Sequence, residues 1–180
     1  MAGAVQQDIQ EEFKEPMRAK IVSYKEFGAL RLRDFFPKRT KLEYEEDGAE
    51  CALGYSGHEA FLTTYFAWPV DRPNEVGEIL LDFRKEERYE LPQEVARRIL
   101  NALKLPLSPS MSEAEVLRAL GRPSAIDRSA VEISGIPVSS LFFRGAGEVG
   151  EEYEIECYVH RDFGLTGVRI VREDLRERAP

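Results

Sequence analysis

Residues 151–171 read EEYEIECYVHRDFGLTGVRIV, and polar and apolar side chains alternate along most of this stretch. Successive side chains of a β-strand point to opposite faces of the sheet. Alternation therefore gives the first half an apolar face and a polar face, and the polar one carries Glu152, Glu154, Glu156, Tyr158 and His160. We predict two antiparallel strands, at residues 151–160 and 164–171, joined by an Asp-Phe-Gly turn.

Patterns elsewhere in the chain predict further strands. Residues 41–45 and 51–55 alternate on either side of Asp47-Gly48, a dipeptide typical of a hairpin turn. Other strands are expected near residues 61–68 and 76–83, and again at 130–134 and 139–144. Because these strands come in runs and do not alternate with helices, the pattern favours antiparallel sheet.

Three segments have helical signals. Val5, Ile9 and Phe13 form a narrow apolar stripe, and a second helix is expected to begin at Leu91-Pro92. The third runs over residues 112–120, because Ser112 followed by a glutamate three positions later is a capping box. We therefore predict an α+β fold of antiparallel sheet or sheets with an N-terminal helix and a central helix pair. We expect residues 1–180 to form a single domain, and an arrangement of two lobes, 1–104 and 105–180, is the alternative.

Charge and composition exclude several classes of protein. The 180 residues include 25 basic and 33 acidic side chains, for a formal net charge of −8. Such a chain would on average be repelled by the phosphates of a nucleic acid. No apolar run reaches the roughly 20 residues of a membrane span, and the first twenty residues have no signal-peptide core. We expect a cytoplasmic protein that binds neither nucleic acid nor membrane, and the sequence does not indicate its oligomeric state.

A glycine motif at residues 145–150, GAGEVG, matches the letters of the dinucleotide-binding fingerprint. That fingerprint requires a helix after the glycines, so that backbone amides and the helix dipole meet the pyrophosphate. The residues that follow here alternate as a strand instead. We predict no bound nucleotide and no other cofactor.

Cys51, His58, Cys157 and His160 are side chains that bind zinc or take part in nucleophilic catalysis. Cys157 and His160 are three residues apart, which in a strand places them on opposite faces. We therefore predict no metal site and no catalytic residue. A small hydrolase or metal-dependent enzyme that uses these four residues is the alternative, and a disulfide between the two cysteines stays open.

The negative charge is unevenly distributed. Residues 42–71 contain seven acidic side chains and no Lys or Arg, and residues 145–160 contain five acidic side chains and again no Lys or Arg. Folding does not require such rows of like charge, which makes them candidates for binding a basic partner. A solvated face that aids solubility is the alternative. The predicted partner-binding residues are Glu43, Glu45, Glu46, Asp47, Glu50, Trp68, Glu152, Glu154, Glu156 and Tyr158.

The segment at residues 103–123, LKLPLSPSMSEAEVLRALGRP, resembles two bacterial families through Met111, Ser112, Val116, Leu120, Gly121 and Pro123. One is the small αβ module of beta-lactamase inhibitor proteins and outer-membrane-assembly lipoproteins. The other is the pyocin-type immunity proteins, in which strands precede a Leu-Pro linker, a Met-Ser helix and a closing sheet. Neither resemblance supplies catalytic residues.

Together these observations predict a non-enzymatic protein-binding module. The specific expectation is an acidic immunity-type inhibitor that binds a toxin-like protein with a basic surface. A structural or adaptor protein of a secretion or phage system is a further alternative.

Overall fold

A computed structural model of the chain describes residues 30–55, 64–73, 75–83, 91–128, 138–146 and 152–173. Within these ranges eight strands form one antiparallel sheet in the order β1-β2-β3-β4-β8-β7-β6-β5. The strands are β1 (Glu43–Asp47), β2 (Glu50–Tyr55), β3 (Thr64–Pro69), β4 (Glu78–Asp82), β5 (Ala125–Asp127), β6 (Val138–Ala146), β7 (Glu152–His160) and β8 (Gly164–Arg172).

The predicted α+β class is wrong, because the described residues form mainly a single sheet with two short α-helices, α1 (Gln93–Ala102) and α2 (Glu113–Leu120). Pairing of β4 with β8 joins the early strands and the late strands into that one sheet. This contact links residues about ninety positions apart, and strand patterns alone do not indicate it. The predicted N-terminal helix around residues 5–13 and the predicted strand at 130–134 lie outside the described residues.

Both α-helices and a 3-10 turn at Leu32–Phe35 pack on one face of the sheet. α1 is amphipathic and buries Val95, Ala96, Ile99 and Leu100, because apolar residues recur at helical spacing. They join one core with side chains of the sheet such as Ile79, Leu81, Ile155 and Ile170. None of the helices in the described ranges is long and apolar enough to span a membrane.

The capping box that the sequence predicts at the start of α2 is confirmed. The Ser112 hydroxyl accepts the backbone N–H of Glu115 at 3.3 Å, and the Glu115 carboxylate accepts the backbone N–H of Ser112 at 2.7 Å. These reciprocal bonds satisfy N–H groups that a helix otherwise leaves without partners. Gly121, with a φ of +83°, ends the helix.

The linker between the two helices is held against the β7–β8 turn. Ser110 donates its backbone N–H to Leu165 O at 2.9 Å, and Leu165 donates to Met111 O at 2.7 Å. Gly164, which has a φ of +70°, lies so close to this linker that a Cβ atom there would be 2.4 Å from the Ser110 carbonyl oxygen. The absence of a side chain at Gly164 therefore allows the linker to dock on the end of the sheet.

Candidate functional site

Most of the carboxylates that the structure describes in the two acidic stretches lie on the same face of the sheet. Residues directly opposite each other on neighbouring strands share a face. One such row crosses six strands, from Glu156 through Arg169, Leu80, Tyr65 and Gly54 to Glu43. The apolar side chains that pack against the helices, among them Ile79 and Ile155, alternate with this row and point the other way.

We call the face opposite the helices the acidic face. It carries the carboxylates Glu43, Glu45, Asp47, Glu50, Glu78, Asp82, Asp127, Glu152, Glu154 and Glu156. The described strands contribute two arginines to it, Arg144 and Arg169. Acidic groups therefore outnumber basic ones on this face by a wide margin.

An ion pair occupies the centre of the acidic face. Arg169 donates from Nε to one Glu78 carboxylate oxygen at 2.7 Å and from Nη2 to the other at 3.1 Å. Tyr65 donates its hydroxyl to the same carboxylate at 2.7 Å. Bidentate contacts of this kind are the strong form of the Arg–carboxylate pair, and the hydrogen bond to Glu78 raises the pKa of Arg169. The centre of the face is therefore neutralised and rigidly hydrogen-bonded.

Two tyrosines flank this ion pair. Tyr158 donates its hydroxyl to Glu156 at 2.9 Å, just as Tyr65 donates to Glu78. Burial is the main cause of a raised pKa in both phenols, and the neighbouring carboxylate raises it further. Both hydroxyls therefore stay protonated at neutral pH, and their half-buried rings offer the amphipathic surface that is enriched at protein interfaces.

Exposed carboxylates lie on both sides of this centre. Glu45, Asp47 and Glu50 are exposed at the β1–β2 hairpin, and Glu152 is exposed on β7. Partial desolvation of its carboxyl group by the surrounding protein, and then the nearby Glu78, raise the pKa of Glu50. β2 and β7 are four strand positions apart, which at about 4.8 Å per strand separates the two acidic edges by roughly 19 Å.

Two of the predicted partner-binding residues do not belong to this face. Glu46 accepts a hydrogen bond from the Tyr44 hydroxyl at 2.9 Å, and the Tyr44 ring lies 6.3 Å from the ring of Trp68. The register pairs Glu46 with Cys51 and Cys51 with Trp68, which places all three on the opposite face. Trp68 is therefore not an anchor within the acidic face.

The side chains considered for metal binding or catalysis are not brought together. Cys51 and Cys157 lie on β2 and β7, are both buried, and are free thiols. Burial raises the pKa of Cys157, which disfavours the reactive thiolate. His58 lies outside the described residues. Within the described part of the chain no cluster of His, Cys, Asp and Glu side chains has the arrangement of a metal site.

Sequence reasoning missed the central residues of the acidic face. Alternation in the fourth strand places Glu78 on its polar side, but nothing local indicates that Arg169 and Tyr65 converge on it. These three residues come from β4, β8 and β3, and only the strand order makes them neighbours.

Comparisons with protein-family models, curated proteins and solved structures gave no match to this chain.

Proposed function

We propose that the protein is a non-enzymatic binding module whose acidic face docks a partner protein with a basic surface. The observation that carries this proposal is the common face of the two acidic stretches, which are about a hundred residues apart in the sequence. Both described α-helices pack on the other face, so they do not cover the carboxylates.

Different groups on this face contribute to different steps of binding. The exposed carboxylates on β1, β2 and β7 attract a cationic partner over distances near the Debye length and speed its encounter. Tyr65 and Tyr158 then supply contact area with hydroxyls that are already hydrogen-bonded and protonated. Because the Glu78–Arg169 pair satisfies the centre internally, a partner does not have to neutralise a buried, uncompensated charge there.

The specific form of the proposal is an immunity-type inhibitor that holds a basic toxin in the cytoplasm. It rests on the resemblance carried by Met111, Ser112, Val116, Leu120, Gly121 and Pro123, and on the acidic character that such a role requires. The docking proposal itself does not depend on that resemblance, since any protein with a complementary basic surface would satisfy it.

Two adjacent residues of β1 give a matched test of the docking surface. Glu45 and Glu46 are both exposed, and they lie on opposite faces of the same strand. Glu45→Lys and Glu46→Lys change the net charge equally. At about 8 Å in water one pair of unit charges interacts by about 0.5 kcal/mol, so a reversal costs about 1 kcal/mol, or about fivefold in affinity.

We would measure binding of a fluorescent decalysine peptide by anisotropy at about 20 mM and about 300 mM salt, where screening differs strongly. Glu45→Lys should weaken binding about fivefold at low salt, and Glu46→Lys should weaken it by less than twofold. Equal weakening by the two variants would mean that the peptide responds only to net charge, which would refute the proposal that the acidic face is the docking surface.

The inhibitor form needs a biological assay. If a toxin gene lies next to the gene for this protein, co-expression of the two should restore growth of the host cells. Glu45→Lys combined with Glu152→Lys should abolish protection, whereas Glu46→Lys should retain it. Protection that survives the double reversal would contradict inhibition through the acidic face.

A further inference from the structure

A cavity of about 780 Å³ opens at one end of the sheet, where β4 and β7 end and where β6 and β8 begin. Its walls include Gln93 at the start of α1, Ser112 at the start of α2, Ser139 of β6 and the β7–β8 turn from His160 to Gly164. The volume falls in the range of small-molecule sites. This cavity is separate from the docking proposal and uses different side chains.

Residues at the N-termini of both α-helices line this cavity. α1 has ten residues and begins after Pro92, which provides no side-chain cap. The first N–H groups of a helix have no partner within it, and with the helix dipole they favour an anion. The N-terminus of α2 differs, because the capping box already satisfies the backbone N–H groups of Ser112 and Glu115 and places the Glu115 carboxylate there. The uncapped N-terminus beside Gln93 is therefore the one available to a ligand.

His160 provides an independent indication that a ligand binds here. Its side chain lines the cavity and is 95% buried, since only 5% of its surface is exposed. Nδ1 accepts the backbone N–H groups of Asp162 at 3.1 Å and Phe163 at 3.2 Å. Nδ1 therefore carries no hydrogen, and the ring hydrogen is on Nε2. Nε2 is buried and has no hydrogen-bond partner among the described residues. Proteins rarely leave a buried polar group without a partner.

The remaining walls combine apolar and cationic groups. Phe83, Val159 and Leu165 provide an apolar floor, and the half-exposed Phe163 stacks on the His160 ring with centroids 4.5 Å apart. Two arginines also line the cavity, Arg128 and Arg161. Each is paired with a carboxylate of the same wall, Glu113 at 2.7 Å and Asp162 at 3.3 Å. The charged side chains therefore balance, and the donors at Gln93 and His160 determine the preference for a ligand.

We propose that this cavity binds a small organic anion, with an oxyanion group at the α1 N-terminus and His160 and a planar apolar body against Phe163. The polar groups argued here to lack a partner, the first N–H groups of α1 and the Nε2–H of His160, are donors, so the site favours an anion over a cation. A phosphate or carboxylate group meets this requirement equally, and an aromatic ring suits the apolar floor and the Phe163 wall.

The chain contains only two histidines, so NMR can observe the site directly. Long-range ¹H–¹⁵N spectra should show His160 with its hydrogen on Nε2, and a His58→Gln variant assigns the two rings. Titration with phenyl phosphate, benzoate and inorganic phosphate then tests the ligand class. We expect saturable shifts of the His160 resonances, with either aromatic anion binding at least fivefold tighter than inorganic phosphate. No shift at 20 mM probe, or equal shifts of both histidines, would overturn the site.

Gln93→Glu tests the role of the α1 N-terminus without threatening the fold. An acidic residue in the first turn stabilises a helix, but it places a negative charge on the cavity wall. Asn101→Asp adds the same charge at the other end of α1 and serves as the matched control. We expect Gln93→Glu to weaken phenyl phosphate binding at least tenfold and the control to change it less than twofold. Equal effects of the two variants would refute the proposed placement of the anion.

Discussion

Replacement of Gly164 by alanine should destabilise the protein far more than the same change at Gly48. Both glycines have positive φ, +70° and +59°, and a residue with a Cβ atom costs about 1–2 kcal/mol in this region. At Gly48 no atom of the described part of the chain lies within 4 Å of the new methyl group, so this conformational cost is the whole expected effect. Gly48→Ala should therefore lower the free energy of unfolding by about 1–2 kcal/mol.

At Gly164 a steric cost is added. The new Cβ would lie 2.4 Å from the Ser110 carbonyl oxygen and 2.7 Å from that of Met111, and both are backbone atoms that cannot rotate away. Relief requires the linker to move off the sheet and lose two backbone hydrogen bonds with Leu165. At about 1 kcal/mol each, these bring the total for Gly164→Ala to about 3–4 kcal/mol.

Urea denaturation of the two variants measures the difference, provided that the slope of the transition stays the same as in the unmodified protein. Gly164→Ala should exceed Gly48→Ala by about 2 kcal/mol. Equal destabilisation would show that the linker between α1 and α2 does not dock on the β7–β8 turn. That result would also remove the cavity wall on which the anion proposal depends.

Three further predictions concern single contacts. Ser112→Ala should cost about 1 kcal/mol in urea denaturation. Hydrogen bonds from Ser112 hold the pKa of Glu115 below its ordinary value of 4.5. The stability that the capping box contributes is therefore present above pH 4.5 and is lost as the pH falls. The free energy of unfolding of the variant should consequently decrease less on acidification than that of the unmodified protein. Arg169→Met should cost about 2 kcal/mol by leaving the Glu78 carboxylate without its cation, and adding Glu78→Gln should recover part of this loss. Burial of Cys157 predicts that, with the other cysteine replaced by alanine, a thiol reagent reacts with it only at the rate of unfolding.

Local patterns were sufficient to predict most of the individual elements. The Asp47-Gly48 hairpin, the alternation in β7 and the capping box of α2 are each determined by residues within a few positions of one another. β5 was missed because its three exposed residues have no periodic pattern and pair only with β6. The sequence therefore predicts whether a segment is a helix or a strand where residues close together in the chain determine that structure.

The arrangement of those elements depends on contacts that the sequence does not display. Alternation predicts that Glu154 and Glu156 share a face, and it predicts the same for Glu43 and Glu45. Whether those two faces coincide depends on the register of β2, β3, β4 and β8, which lie between them. Glu46 and Trp68 are near the acidic residues in sequence, but the strand register places them on the other side of the sheet. Charge along the chain therefore indicates a stretch of sequence, but it does not indicate on which face of the sheet each side chain lies.

The β7–β8 hairpin contributes to both proposed sites through different parts of its length. Its middle presents Glu154 and Glu156 on the acidic face, whereas its turn, from His160 to Gly164, closes the cavity. The acidic face offers a surface about 19 Å across from β2 to β7, which suits a protein partner, and the cavity of about 780 Å³ suits a small molecule. Because the residues that define the two sites do not overlap, Glu45→Lys and Gln93→Glu should each impair one kind of binding and leave the other intact. If either variant impaired both, the two sites would be coupled through the hairpin, and the acidic face could no longer be treated as an independent docking surface.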